Sequence, residues 1–367
     1  MRRRTIVVMA SLGLAFFGCA KEPARPANVG GAYGPGQGQY PSGQYPPGQY
    51  PPGQPPPAGT VTPQPTPGVG SNLPPPQIGS FDAFGAITPE FMRVEAKVVL
   101  DELVAALSDT ERAKVQGIPL APIEDPKEVN AFAGCDKAGK AFMGITMPLL
   151  VISAASSEAK AFDELSGTRK LDEYGSRVAE MVRGGQAVRG LNPGELPLPS
   201  AVDPRKLSRQ KFLFDEQVAF VLGHELAHHY RGHTGCANGG ASTQVTSEDL
   251  GRLLSNAVPV FNQPMEVEAD VNGTQNTLNA GARRQGGAWT EEGALMTLGF
   301  FNRLTGMGPE VLLLGILQSH PHPVVRIPIV QGTANQWRAR GGSTGTQPSS
   351  PFPFPFPLPF PIPGLGN

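Results

Sequence analysis

The stretch "GHELAHHYRGH", residues 223–233, packs four histidines and one glutamate into eleven residues. It closes a longer segment, "FDEQVAFVLGHELAHHYRGH" (214–233), in which Val218, Val221, Leu222, Leu226 and Ala227 recur at helical spacing. That spacing predicts an amphipathic helix with Asp215 as its N-cap. On a helix, His224 and His228 lie on one face about a turn apart. Two imidazoles so placed can grip one Zn2+ at about 2.0–2.1 Å. Glu225 follows the first of them and projects toward the open side of the metal, where it can take a proton from water. The competing reading is a solvated helical face with unrelated histidines. The apolar stripe argues against it, because it places the histidines inside a packed helix.

Zinc that performs catalysis keeps three protein ligands and one open position. A later histidine in the pattern HExxHxxGxxH would need Gly at 231 and His at 234. The sequence has Arg231 and Thr234 there, which excludes that arrangement. A second helix is predicted over "QPMEVEADVNGTQNTLNAG" (263–281), closed by Gly281. Within it, "EVEAD" places Glu266 and Asp270 four apart on one face. Glu266 can be the third ligand. Asp270 can orient a ligand histidine through the other ring nitrogen. Glu268 falls off that face, and the competing reading of the stretch is a charged helix surface.

Elsewhere, "PEFMRVEAKVVLDELVAAL" (89–107) has helical spacing. "EVNAFAG" (128–134) and "KAFMGIT" (140–146) are short β-type runs around the turn-rich "CDKA", so they read as a hairpin. Residues 175–210 read as a helix plus a long loop. Helices follow near 290–304, 309–318 and 325–338. The expected fold is α+β: a mainly helical, zincin-like (gluzincin) domain over residues 80–340 with a small antiparallel sheet.

The chain has 367 residues, with 30 Lys+Arg against 31 Asp+Glu. A net charge of −1 gives no electrostatic case for nucleic acid. Residues 1–18 read as an export signal: Arg2, Arg3 and Arg4, then an apolar run too short to span a bilayer. It ends in "LAFFGCA", which resembles the lipobox of bacterial lipoproteins, with Cys19 the lipidated residue. No later apolar run approaches the ~20 residues of a spanning helix. Residues 19–79 are rich in Pro, Gly, Gln and Tyr and read as a tether. Residues 341–367, including "PFPFPFPLPFPIPGLGN", read as a disordered tail. These ends are candidates for docking an envelope protein or the cell wall. An exported chain with Cys135 and Cys236 left over invites a disulfide between them, free buried thiols being the alternative.

"GHELAHHYRGH" followed by "EVEAD" resembles the M48 zinc metallopeptidases, the group of HtpX and the CAAX prenyl protease. "VNAFA" (129–133) is similar to that family's strand segment, and "SHPHPVVRI" (319–327) to its His-Pro…Arg-Ile segment. The resemblance spans about 85–335. It implies a metalloendopeptidase with one Zn2+ per chain held by His224, His228 and Glu266, and Glu225 as general base. It implies that His320 can approach the zinc from a loop and hold the enzyme latent; the alternative is that His320 merely closes a loop. It also makes Arg326 a candidate contact to substrate or transition state. HtpX and the prenyl protease span the membrane several times, which this chain does not. The likeness is therefore to the soluble, lipoprotein-type envelope branch. The expected substrates are unfolded or misfolded envelope proteins, with the chain lipid-anchored on the periplasmic side. A non-catalytic zinc-containing chaperone or binding module is the rival from another class, and the intact Glu225 argues against it.

Overall fold

The histidine-bearing helix is longer than its apolar stripe suggests. In the computed structural model, which describes residues 79–236, 240–255, 263–285 and 287–342, it runs Pro204–Tyr230. The expected export signal, Cys19, the tether up to residue 78 and the tail from 343 lie outside the described residues. Asp203, not Asp215, is the N-cap, and its carboxylate accepts from the Arg205 N–H at 2.8 Å. Asp215 sits inside the helix, paired with Lys211 at 2.7 Å and Arg284 at 3.0 Å. The first half of the helix reads as polar, yet Lys206, Arg209 and Lys211 are buried in pairs. Lys206 meets Glu158 at 3.0 Å, Arg209 meets Glu164 at 2.8 Å, and Lys211 meets Glu95 at 2.6 Å. Charges can be buried when paired in this way, and hydrophobic periodicity cannot detect them.

The elements are, in chain order, α1 (Pro89–Ala106), α2 (Asp109–Val115), β1 (Leu120–Ile123), β2 (Ala131–Cys135), β3 (Ala141–Thr146), α3 (Met147–Ser166) and α4 (Lys170–Arg183). After the long helix, α5, come α6 (Ser247–Ser255), α7 (Gln263–Gly281), α8 (Glu292–Thr305), α9 (Gly315–Ser319) and α10 (Pro323–Ala339). The fold is α+β and mainly helical, as expected. The helix expected near 309–318 is a 3-10 turn, Pro309–Leu313, followed by the short α9. α5 lies at the centre and packs against α1, α3, α7 and α8. Val218, Val221, Leu222, Leu226 and Ala227 are all in the core.

The hairpin forms as expected: β2 and β3 pair antiparallel, with Ala133 opposite Met143. The sheet is nevertheless mixed, not antiparallel. β1 joins β3 in parallel, giving the order β1-β3-β2. β1 is "LAPI", and its Pro122 reads against a strand; an edge position tolerates a residue that cannot donate to the ladder. β2 forms the opposite edge. α3 has no counterpart in the sequence reading. It begins where β3 ends, with Thr146 as N-cap accepting from the Leu149 N–H and Pro148 in its first turn. It is buried on nearly all sides, so no polar face marks its period.

Two glycines let α5 and α7 touch. A Cβ at Gly273 would stand 2.7 Å from the His224 backbone nitrogen, and one at Gly223 would stand 3.1 Å from the Gly273 carbonyl oxygen. Only glycine permits that backbone approach. Cys135, at the end of β2, is bridged to Cys236 beyond the end of α5.

Glu216 of α5 is fully buried, and its Oε1 accepts from the Thr290 N–H at 2.7 Å. Burial, aided by the Glu292 charge, pushes its pKa up to about 8. A raised carboxyl pKa supplies stability that is full below the ordinary value and is lost as pH rises through the folded one. The neutral amide of Glu216→Gln has no such dependence. Its unfolding free energy, relative to the native chain, is expected to rise between pH 5 and pH 8 by a few kcal/mol, on the order of 1.4 per pH unit. Urea unfolding across that range checks it, and parallel pH curves for the two chains would contradict it.

Candidate metal centre

Because α5 and α7 meet at glycines, Glu266 in the first turn of α7 faces His224 and His228. Its Oε2 is 3.3 Å from His224 Nε2, and its Oε1 is 3.5 Å from His228 Nε2. The two Nε2 atoms are 3.2 Å apart. Three donors at the corners of a zinc tetrahedron, each about 2.0–2.2 Å from its centre, are about 3.3–3.5 Å from one another. All three residues are buried, and neither Glu266 oxygen has a hydrogen-bond partner of normal geometry. A buried carboxylate without a partner is costly unless a cation completes it. The donor set therefore fits a divalent metal, and zinc suits two imidazoles and a carboxylate. His224, Glu225 and His320 form a second, overlapping group whose ligand atoms also lie close together.

His224 is fixed from behind. Its Nδ1 is 2.9 Å from Asp270 Oδ1, which places the ring proton on Nδ1 and leaves the Nε2 lone pair facing Glu266. Asp270 in turn accepts from Arg326 at 2.6 and 2.9 Å. Burial would raise the Asp270 pKa, but the Arg326 charge and the His224 hydrogen bond outweigh it, and the carboxyl is held well below its usual range. Arg326, expected as a contact to substrate or transition state, lines the cleft beside Glu225 and His320 and also holds Asp270. It is buried on α10, and its guanidinium pairs with Asp270, behind His224.

Glu225 projects from the same turn of α5 as His224, and its Oε1 is 3.2 Å from His320 Nε2. His320 follows α9, and its Nδ1 is 2.8 Å from Ser319 Oγ. Both residues line a cleft open to solvent, with Phe220, Leu298, Phe301 and Ile316 among its apolar walls. Ala131 of β2 contributes to the same cleft. His229 turns away to the Phe142 carbonyl at 2.9 Å, and burial pushes its pKa down to about 4. His322 caps α10. Glu268 leaves the Glu266 face, as its spacing requires, and meets Arg231 and His233. His233 had no assigned part in the sequence reading. One signal for it was available: it follows His228 by five residues, past the helix end, where the chain can fold back.

Two helix histidines, a facing glutamate and a carboxylate beside the first histidine are the residues of a metallopeptidase centre of the HExxH class. The chain belongs to peptidase family M48, whose family model matches residues 98–334. That span takes in α5, α7 and the His320–Arg326 segment. No curated protein and no solved structure matched the chain. The protein is a metallopeptidase of a zinc-dependent family, and its His/Glu group suits that metal.

Proposed function

We propose that this chain is a zinc-dependent endopeptidase of the bacterial cell envelope that hydrolyses peptide bonds in unfolded or misassembled exported proteins. The observation that carries the reading is the buried His224–His228–Glu266 cluster, with an orphaned Glu266 carboxylate, beside Glu225 at the mouth of a cleft. Zinc at this cluster would supply a Lewis acid for the scissile carbonyl and bring the pKa of water to about 7. Glu225 takes the proton from the attacking water and passes it to the leaving nitrogen. His224 and His228 keep their protons on Nδ1 throughout, so their Nε2 atoms remain ligands. The apolar walls suit a hydrophobic side chain of the substrate. The β2 edge suits an extended backbone, which unfolded chains offer and folded ones do not.

His320 stands across the approach to Glu225, so this arrangement is read as the capped, latent one. Substrate then enters only when the α9 end carrying His320 shifts. Lipidation at Cys19 would anchor the chain on the periplasmic side of the membrane, with residues 19–79 as spacer. No helix among the described residues is long and apolar enough to cross a membrane. The test is incubation of the purified full chain with casein and with a tightly folded protein. Casein alone is expected to be cut, a chelator to stop the reaction and zinc to restore it. If the zinc-loaded chain and its His320→Ala form both leave casein intact, the reading fails in favour of a non-catalytic binding module.

A further inference from the structure

His228 is backed by an arrangement that matches the one behind His224 but uses different residues. Its Nδ1 is 2.9 Å from His233 Nδ1. His233 Nε2 is 3.0 Å from Glu268 Oε2, and Glu268 Oε1 accepts from Arg231 Nε at 2.6 Å. We propose that His233 and Glu268 are positioning residues for the second metal ligand. They would do for His228 what Asp270 and Arg326 do for His224. The inference rests on the reading of His228 as a zinc ligand.

Only one proton arrangement satisfies the whole chain. For His228 Nε2 to present a lone pair to a metal, the ring proton must sit on Nδ1. That N–H then donates to His233 Nδ1, which must be unprotonated. The His233 proton therefore sits on Nε2 and is donated to the Glu268 carboxylate. The two histidine ligands are thus each tied to a carboxylate that is itself held by an arginine. For His224 the tie is direct; for His228 an imidazole is inserted. Outer partners of this kind set the tautomer, the ring plane and the basicity of a ligand histidine.

The placement of His233 supports this role. Its side chain is only 6% exposed, although it lies beyond the end of α5. Its backbone N–H donates to the His228 carbonyl at 2.8 Å, so the turn folds directly over the ligand. Gly232, at φ +83°, allows that turn. The same segment is fastened by Thr234 Oγ1, 3.2 Å from His229 Nδ1, and by the Cys135–Cys236 bridge. A helix cap alone would require the His233 backbone and not its ring. Substitution of the ring therefore separates the two roles.

The experiment measures zinc affinity of the full-length chain by competition with a chromogenic chelator, and the visible spectrum of the cobalt-substituted chain. His233→Phe keeps the ring volume but cannot accept from His228. It is expected to bind zinc about 10–100-fold more weakly and to show an altered cobalt spectrum. His233→Gln offers an amide oxygen to His228 and an N–H to Glu268. It is expected to restore both readouts to within a few-fold of the native chain. Wild-type affinity and spectrum in His233→Phe would overturn the proposal. If that variant does not fold, Glu268→Ala, altered at a partly exposed side chain, decides. A loss of several-fold in affinity supports the proposal, and none overturns it. A native chain that holds no zinc would overturn the peptidase reading itself. Native zinc with unaffected variants overturns this inference alone.

Discussion

Glu225→Gln is expected to lower kcat/KM on an unfolded substrate by about 10²–10⁴-fold, the range of a positioned general base. The amide has nearly the volume of the carboxylate but cannot take a proton. Glu225 is outside the His224, His228 and Glu266 group read as the ligand set, so zinc content should not change. The loss should fall on kcat, because the proton leaves water only in the transition state for its attack. Steady-state kinetics on a casein-derived peptide, with zinc quantified in the same preparations, checks both halves. Activity within a few-fold of the native chain would remove Glu225 from the chemistry.

Arg326→Met is expected to destabilise the metal-free chain by about 3–5 kcal/mol, the usual result of stranding one member of a buried ion pair. Asp270 is 1% exposed, and Arg326 reaches it with two nitrogens. The depressed Asp270 pKa gives the sign. A carboxyl whose folded pKa lies below its unfolded one stabilises the fold above the unfolded value, and that stability is lost as pH falls through the folded one. Without Arg326 the contribution is missing at neutral pH, so the deficit should be largest there and shrink in acid. Urea unfolding at neutral and acidic pH measures it. Unchanged stability together with a raised KM would give Arg326 the role of a substrate contact.

The site was more legible in the sequence than the fold around it. The structure brings His224, His228, Glu266 and Asp270 together as helical periodicity predicts, because that rule sets which residues share a face whatever the surroundings. The rule fails where a side chain is defined by a distant partner. Arg326 is separated from Asp270 by α8, a 3-10 turn and α9, and nothing local shows that the two pair. His233 lies past the end of α5, where helical spacing no longer applies, and only the turn through Gly232 brings its ring to His228. The α5 start was misplaced at Asp215 because Lys206, Arg209 and Lys211 read as solvent-facing but are paired inside. α3 was missed because burial on all sides leaves no pattern, and β1 because Pro122 argues against a strand anywhere but at an edge.

The proposed zinc site takes ligands from both α5 and α7. Its most direct test is the zinc content of the purified chain beside its Glu266→Ala form, after dialysis against metal-free buffer. About one zinc is expected per native chain, as a three-ligand catalytic site holds, and almost none in the variant. Full zinc retention by Glu266→Ala, or a native chain that stays empty when zinc is supplied, would contradict it.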